Sequence, residues 1–134
     1  MIVSLHVASG AAAGALAGSW RRALVVGPLI HLIGDMIPHN DIASRRFEIG
    51  SGLLLLGLVV GARGPFDPAV VGALASSAPD VEHVFPLPRP GGRKLFPTHR
   101  VPHWHRAGGL PAWAQLVAAG FLVGLLVGGT RRGA

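Results

Sequence analysis

Five apolar runs separated by polar breaks dominate the chain: residues 2–19, 23–38, 48–62, 68–79 and 110–129. They are too long and too rich in Ala, Leu and Gly for the strands of a small barrel, so each predicts a helix. The run at 110–129 has the roughly 20 residues that cross a bilayer comfortably. The run at 48–62 is shorter but carries no charge after Glu48, and 68–79 is about half a span, either re-entrant or lengthened by its flanks. Three of the breaks are short: Trp20-Arg21-Arg22, residues 39–47 and residues 63–67. The fourth, residues 80–109, is long and holds Pro86, Pro88, Pro90, Gly91 and Gly92 at its centre. A connection of that length in a compact domain is usually functional. The expected architecture is all-α: a single membrane-embedded domain over 1–134, a small polytopic bundle of about four to five helices with one long polar loop.

Gly10, Gly14 and Gly18 recur every four residues and predict a close-packing face on the first helix. Residues 1–19 resemble a signal peptide, with Ala15-Leu16-Ala17 placed like a cleavage site. No Lys or Arg precedes the apolar run, so retention is expected.

Composition sharpens this picture. Half of the 134 residues are hydrophobic and 13% are charged, against about 25% in soluble domains, which disfavours both a disordered chain and an ordinary soluble enzyme. The absence of cysteine excludes disulfides, zinc–thiolate sites and thiol catalysis. The net charge of +6 lies in short clusters between apolar runs, as in the loops of membrane proteins. No stripe of basic and aromatic residues is present, so membrane lipids and not nucleic acid are the expected partners. Eleven Arg to one Lys, with abundant Ala and Gly, suits a GC-rich bacterial genome.

If each run crosses once, residues 39–47 and 80–109 share the side of Met1, and all seven histidines fall on or toward that side. It carries seven basic residues against five on the other, so the positive-inside rule places it in the cytoplasm, with the bacterial inner membrane as the location. His31, Asp35 and His39 are spaced four apart and share one helical face. Over eight residues that stripe drifts by about 80° and rises about 12 Å, so the three line one groove without all touching one ion. Ionisable side chains within an apolar helix are costly and in membranes mark function by default. The competing reading is that Asp35 pairs with His31 or an Arg to hold helices together. Asp80, Glu82 and His83 follow the fourth run, and His99 and His103 form a second i, i+4 pair if residues 98–105 turn helically. His105 reads as a surface residue beside an interfacial Trp104. His and Asp donors without Cys suit Zn²⁺, with Mn²⁺ or Fe²⁺ also compatible.

His6, His31-x3-Asp35-x2-Pro38-His39, Pro79-Asp80 and His99-Arg100-x2-His103 together resemble the motifs of the bacterial membrane-bound metal-dependent hydrolases. His-x3-Asp-x3-His is more distantly similar to a helix of zinc-dependent phospholipases C and single-strand-specific zinc nucleases. The better-known inner-membrane hydrolases carry Pro-Asp and His-Arg before the His-x3-Asp helix and a small hydroxyl residue where this chain has Trp104. The resemblance implies a metal cluster that hydrolyses phosphate esters, with His83 left outside it because Asp80 matches the pattern. His6, His31, Asp35, His39, Asp80, His99 and His103 would be the metal ligands. Asp80 or Glu82 would serve as general base or bridge, and Arg100 would hold a phosphate. A site at the membrane surface suggests a lipid or lipid-linked phosphate as substrate. Two alternatives remain: a non-catalytic protein whose polar cluster staples short helices, and, third, a proton or ion pathway, for which 48–62 and 110–129 offer almost no polar residues.

Overall fold

The computed structural model describes residues 1–101, 104 and 106–130. It is all-helical, with no strand among the described residues. The helices are α1 (Val3–Ala17), α2 (Trp20–Met36), α3 (Arg45–Arg63), α4 (Pro68–Ser77), α5 (Val81–Val84), α6 (Pro97–Arg100) and α7 (Ala112–Thr130), with single 3-10 turns at Ala78–Asp80 and Pro90–Gly92. The five apolar runs are thus the five long helices, and the long connection holds short helical pieces of its own.

Local chemistry sets the ends. Ser19, Ser44 and Asp67 precede α2, α3 and α4 and accept hydrogen bonds from the Arg22, Phe47 and Ala69 amides, satisfying donors that a helix start leaves free. Pro68 opens α4, where its missing N–H costs nothing. Gly18 stops α1 in the left-handed region at φ 69°, its N–H reaching the Gly14 and Ala15 carbonyls. Gly18 therefore caps the helix and is not part of the packing face expected of it.

Gly10 and Gly14 do form that face, and they meet a glycine. A methyl group at Gly10 would lie 2.4 Å from Ser76 Cβ, one at Gly14 2.1 Å from the Pro68 carbonyl oxygen, and one at Gly72 2.3 Å from the Gly10 carbonyl oxygen. The α1 and α4 backbones are therefore in direct contact, which only glycine allows. Helix α1 is the hub of the bundle, touching α2, α3, α4 and α7. The apolar core joins Ile2, Leu5 and Val7 of its N-terminal half to Val59 of α3, Val70 of α4 and Val123 of α7.

Large apolar side chains stand on the outside. Leu24, Val25, Leu29 and Ile33 of α2, Leu53, Leu54 and Leu58 of α3, and Trp113, Val117, Phe121 and Leu125 of α7 are all exposed. Among the described residues one helix, over Ala112–Gly129, is long and apolar enough to cross a membrane. Only 17% of that stretch is buried, so it is not the enclosed core helix of a soluble protein. Helix α1 is apolar but shorter.

The long connection returns to the exit of α2. The Leu110 amide donates to the Pro38 carbonyl, the Asn40 amide to Leu110 and the His39 amide to Arg106. Gly109 sits at φ 80°, with Pro38 where a side chain would be. Gln115 of α7 locks this junction from below: its carbonyl accepts from the Ile2 amide and its amide donates to the Asn40 and Leu110 carbonyls. It is the lone polar residue inside the apolar run 110–129, a signal in the sequence for a buried bridging role.

Candidate metal centre

The turn leaving α4, the second half of α2, the start of α1 and the short α6 converge at one end of the bundle. From α2, His31 and Asp35 point into it and are 0% and 1% exposed. Helix α1 brings His6, fully buried, its ring stacked on His31 with centroids 3.9 Å apart. Asp80 comes from the 3-10 turn and His99 from α6, their side chains 18% and 3% exposed.

Hydrogen bonds fix two imidazoles. His31 Nδ1 lies 2.8 Å from the Ser76 carbonyl oxygen. A carbonyl only accepts, so Nδ1 carries the hydrogen and the neutral ring presents its Nε2 lone pair. His99 Nδ1 lies 2.6 Å from Glu82 Oε1, and an ionised carboxylate has the same effect. Both free nitrogens then face carboxylates: His31 Nε2 is 3.1 Å from Asp35 Oδ2 and 4.0 Å from Asp80 Oδ1, and His99 Nε2 is 3.4 and 3.7 Å from the same atoms. Lone pairs set against carboxylate oxygens repel unless a proton or a cation lies between them.

The donor set fits a cation. His31 Nε2 and Asp80 Oδ2 are buried and make no hydrogen bond. A tetrahedral zinc ion with bonds of 2.0–2.1 Å holds its ligand atoms about 3.3 Å apart, close to the separations here. Orientation of a ligating imidazole through its other nitrogen by a carbonyl or carboxylate is the usual arrangement around such ions. Donor atoms of His31, Asp35 and His99 lie within 4.8 Å of one another, as do those of His6, His31 and Asp80 and of Asp80, His83 and His99. These buried His and Asp groups could therefore hold a metal ion, in overlapping sets that share His31, Asp80 and His99.

Five expected ligands are thus brought together: His6, His31, Asp35, Asp80 and His99. His39 is buried, but the helix ends before it, at Met36. Its Nδ1 donates to the Ile37 carbonyl, and its Nε2 meets the Met1 amino group and Asp41 Oδ1. It belongs to none of the three donor sets. The Met1 amino group links it to the cluster by donating also to Asp35 Oδ1 at 2.7 Å, an oxygen 3.1 Å from His6 Nε2. His103 and His105 lie outside the described residues.

Glu82 is placed differently from the general base or bridge expected of it. It is 3% exposed, and both its oxygens are engaged, accepting from the Leu95 amide at 2.6 Å, the Phe96 amide at 3.3 Å and His99. Burial alone would raise its carboxyl, but these hydrogen bonds outweigh that and hold it below the ordinary glutamate value. It stays ionised and orients His99. Asp80 goes the other way: burial, reinforced by Asp35, pushes it up to about 6 against the pull of His31 and His99. His83, set aside on the sequence, is exposed and packs its ring edge-on to His99 with centroids 4.2 Å apart.

Beside the cluster lies a cavity of about 220 Å³ lined by Asp80, His83 and His99 and by Arg45 and Glu48 of α3. Arg100 is exposed at the end of α6 and is not on its wall. The arginine that the cavity does contain is Arg45, which donates to the His83 carbonyl, and Met1 lines it too. The sequence marked Arg45 only as a basic loop residue, because nothing local shows that α3 begins there.

Against known proteins, no family model, no curated protein and no solved structure matches this chain.

Proposed function

We propose that this protein is an integral-membrane, metal-dependent hydrolase of the bacterial inner membrane, acting on a phosphate ester of a lipid or lipid-linked substrate. One observation carries the reading: His31 and His99, each fixed through Nδ1, turn their Nε2 atoms onto the carboxylates of Asp35 and Asp80 in a buried setting. Zinc is the ion that suits nitrogen and carboxylate donors at these separations, with Mn²⁺ or Fe²⁺ as alternatives. The exposed apolar faces of α2, α3 and α7 support immersion of the whole bundle in lipid. The Arg-containing polar end would then lie at the cytoplasmic surface.

A divalent ion in this site supplies a water of lowered pKa and polarises a phosphoryl oxygen. The protein's own residues do the rest. Ser76 and Glu82 hold the two imidazoles in register. Asp35 Oδ1 takes hydrogen bonds from His6 and the Met1 amino group, which leaves Oδ2 toward His31 and His99. Asp80, the most open member of the cluster, lines the cavity and would be the group to accept a proton from a water there.

A second reading rests on the depth of the cluster. His6, His31 and Asp35 are almost wholly enclosed, so a structural ion, or a hydrogen-bonded core around Asp35, would equally tie α1, α2 and α6 together. Turnover separates the two. Metal-loaded protein in detergent is expected to hydrolyse bis(p-nitrophenyl) phosphate, to stop on chelation and to recover on resupply. Both His31→Ala and Asp35→Ala should be inactive. Activity that survives either substitution would contradict the proposed site, and stability lost on chelation without any turnover would favour the structural reading.

A further inference from the structure

The polar cavity does not end at Asp80. A groove of about 330 Å³ continues from it between α1, α3 and α5, and the two share Val3, Ile49, Asp80 and Val84 on their walls. Val7 of α1 and Leu56 of α3 line the groove's inner side. Ser77 and Asp80 are its polar lining residues, and the Ser77 hydroxyl is turned away, donating to the Ala73 carbonyl. The floor is close because Gly52 leaves room for Val3: a methyl at Gly52 would lie 2.6 Å from Val3 Cγ1. The outer rim is Leu53, Val81, Val84 and Phe85, all exposed, and Leu53 is continuous with the bare face formed by Leu54 and Leu58.

The geometry points to a site for a single hydrocarbon chain. We propose that this groove takes the alkyl or acyl chain of a phosphate-bearing amphiphile, entering sideways over Leu53, with its phosphate in the cavity beside Arg45. This deepens the hydrolase reading and rests on it. The lining of the inner end favours this occupant. The carboxylates of Asp41, Glu48 and Asp80 stand there against two cations, the Met1 amino group and Arg45, whose guanidinium has donors beyond the one used on His83. A bare anion is therefore repelled unless a metal ion in the cluster offsets the carboxylates, and an apolar chain in the groove supplies the rest of the binding. An apolar peptide or a second copy of this chain would fill the groove but would leave the charged cavity at its inner end without a partner. A phosphate monoester on a chain satisfies both ends at once.

The test is a calorimetric series of ethyl, butyl, hexyl and octyl phosphate titrated into the zinc-loaded full chain, with partition into empty micelles subtracted. Full burial is worth about fourfold in affinity per methylene. Octyl phosphate is therefore expected to bind at least about 100-fold more tightly than ethyl phosphate. Val81→Trp, which puts an indole across the rim, should flatten the series, and Arg45→Ala should weaken every member. Zinc content equal to that of the wild type certifies that Val81→Trp is folded. If ethyl phosphate binds but affinity is level with chain length, the groove proposal is overturned and the metal-site reading stands. If no member binds the zinc-loaded protein, both fall. Chain-length dependence retained in Val81→Trp puts the chain elsewhere. A change in oligomeric mass caused by Val81→Trp, with a level series in the wild type, would mean that a second copy occupies the groove.

Discussion

Two buried regions of the same helices are built on opposite terms. Along the α1–α4 seam, Gly10 and Gly14 bring backbone against backbone across Gly72, and everything needed to hold the helices is present in the chain. At the N-terminal end of α1, His6 joins His31, Asp35, Asp80 and His99 in a cluster where lone pairs meet carboxylates and His31 Nε2 and Asp80 Oδ2 make no hydrogen bond. The seam has no place for a ligand, whereas the cluster could hold a metal ion. Burying polar groups without partners costs free energy, so a fold that retains such a cluster calls for a cation, a set of protons or a function to account for it.

The comparison can be broken at the seam first. Gly14→Leu drives a side chain into the Pro68 carbonyl and should cost about 3 kcal/mol or more, read as a large fall in Tm in detergent that added metal does not reverse. A tolerated leucine would mean that the seam is loose.

A similar magnitude is expected from pH at the other region. Asp80 moves from an ordinary value of 3.8 to about 6, so the folded, metal-free protein keeps a proton that the unfolded chain has released. The contribution of Asp80 to stability is full below about pH 4 and is lost as pH rises to about 6, by roughly 3 kcal/mol in all. Asp80→Asn should remove that slope, and a bound divalent ion should remove it in the wild type by favouring the carboxylate. Thermal melts at pH 4, 6 and 8 with and without zinc measure both. Metal-free wild-type stability that rises with pH relative to Asp80→Asn over this window would contradict the assignment.

Glu82→Gln is the subtler change. It keeps the size of the side chain but loses the charge that fixes His99, and should lower metal affinity 10–100-fold without removing the site. Competition against a chromophoric chelator reads it, and an unchanged affinity would make Glu82 a support of the loop at Leu95 and Phe96 alone.

The sequence carried most of the helices because five apolar runs are a one-dimensional signal. It also carried the facing of His31 and Asp35, since i and i+4 coincide on any helix. His39 was misleading because the same spacing continues two residues past the α2 C-cap, Ile37, where the periodicity no longer applies. Gly18 extended the glycine stripe in the same way and proved to be a cap. The task of Glu82 was not legible: whether a carboxylate takes a proton or orients a neighbour depends on which amides reach it, and those of Leu95 and Phe96 arrive only when the long connection folds back. Arg45 was hidden for a related reason, because α3 starts three residues before the apolar run that announces it.

The central claim is that the His/Asp cluster is completed by a metal ion. It is tested most directly by elemental mass spectrometry on freshly purified full-length protein, alongside His31→Ala/Asp35→Ala, with Tm measured on both. The expected result is at least one equivalent of zinc, manganese or iron per chain in the wild type and none in the double variant, with the variant still folded by its glycine seam. Wild-type protein that holds no metal even after zinc, manganese and iron are resupplied would contradict the claim and leave a proton-linked polar core in its place.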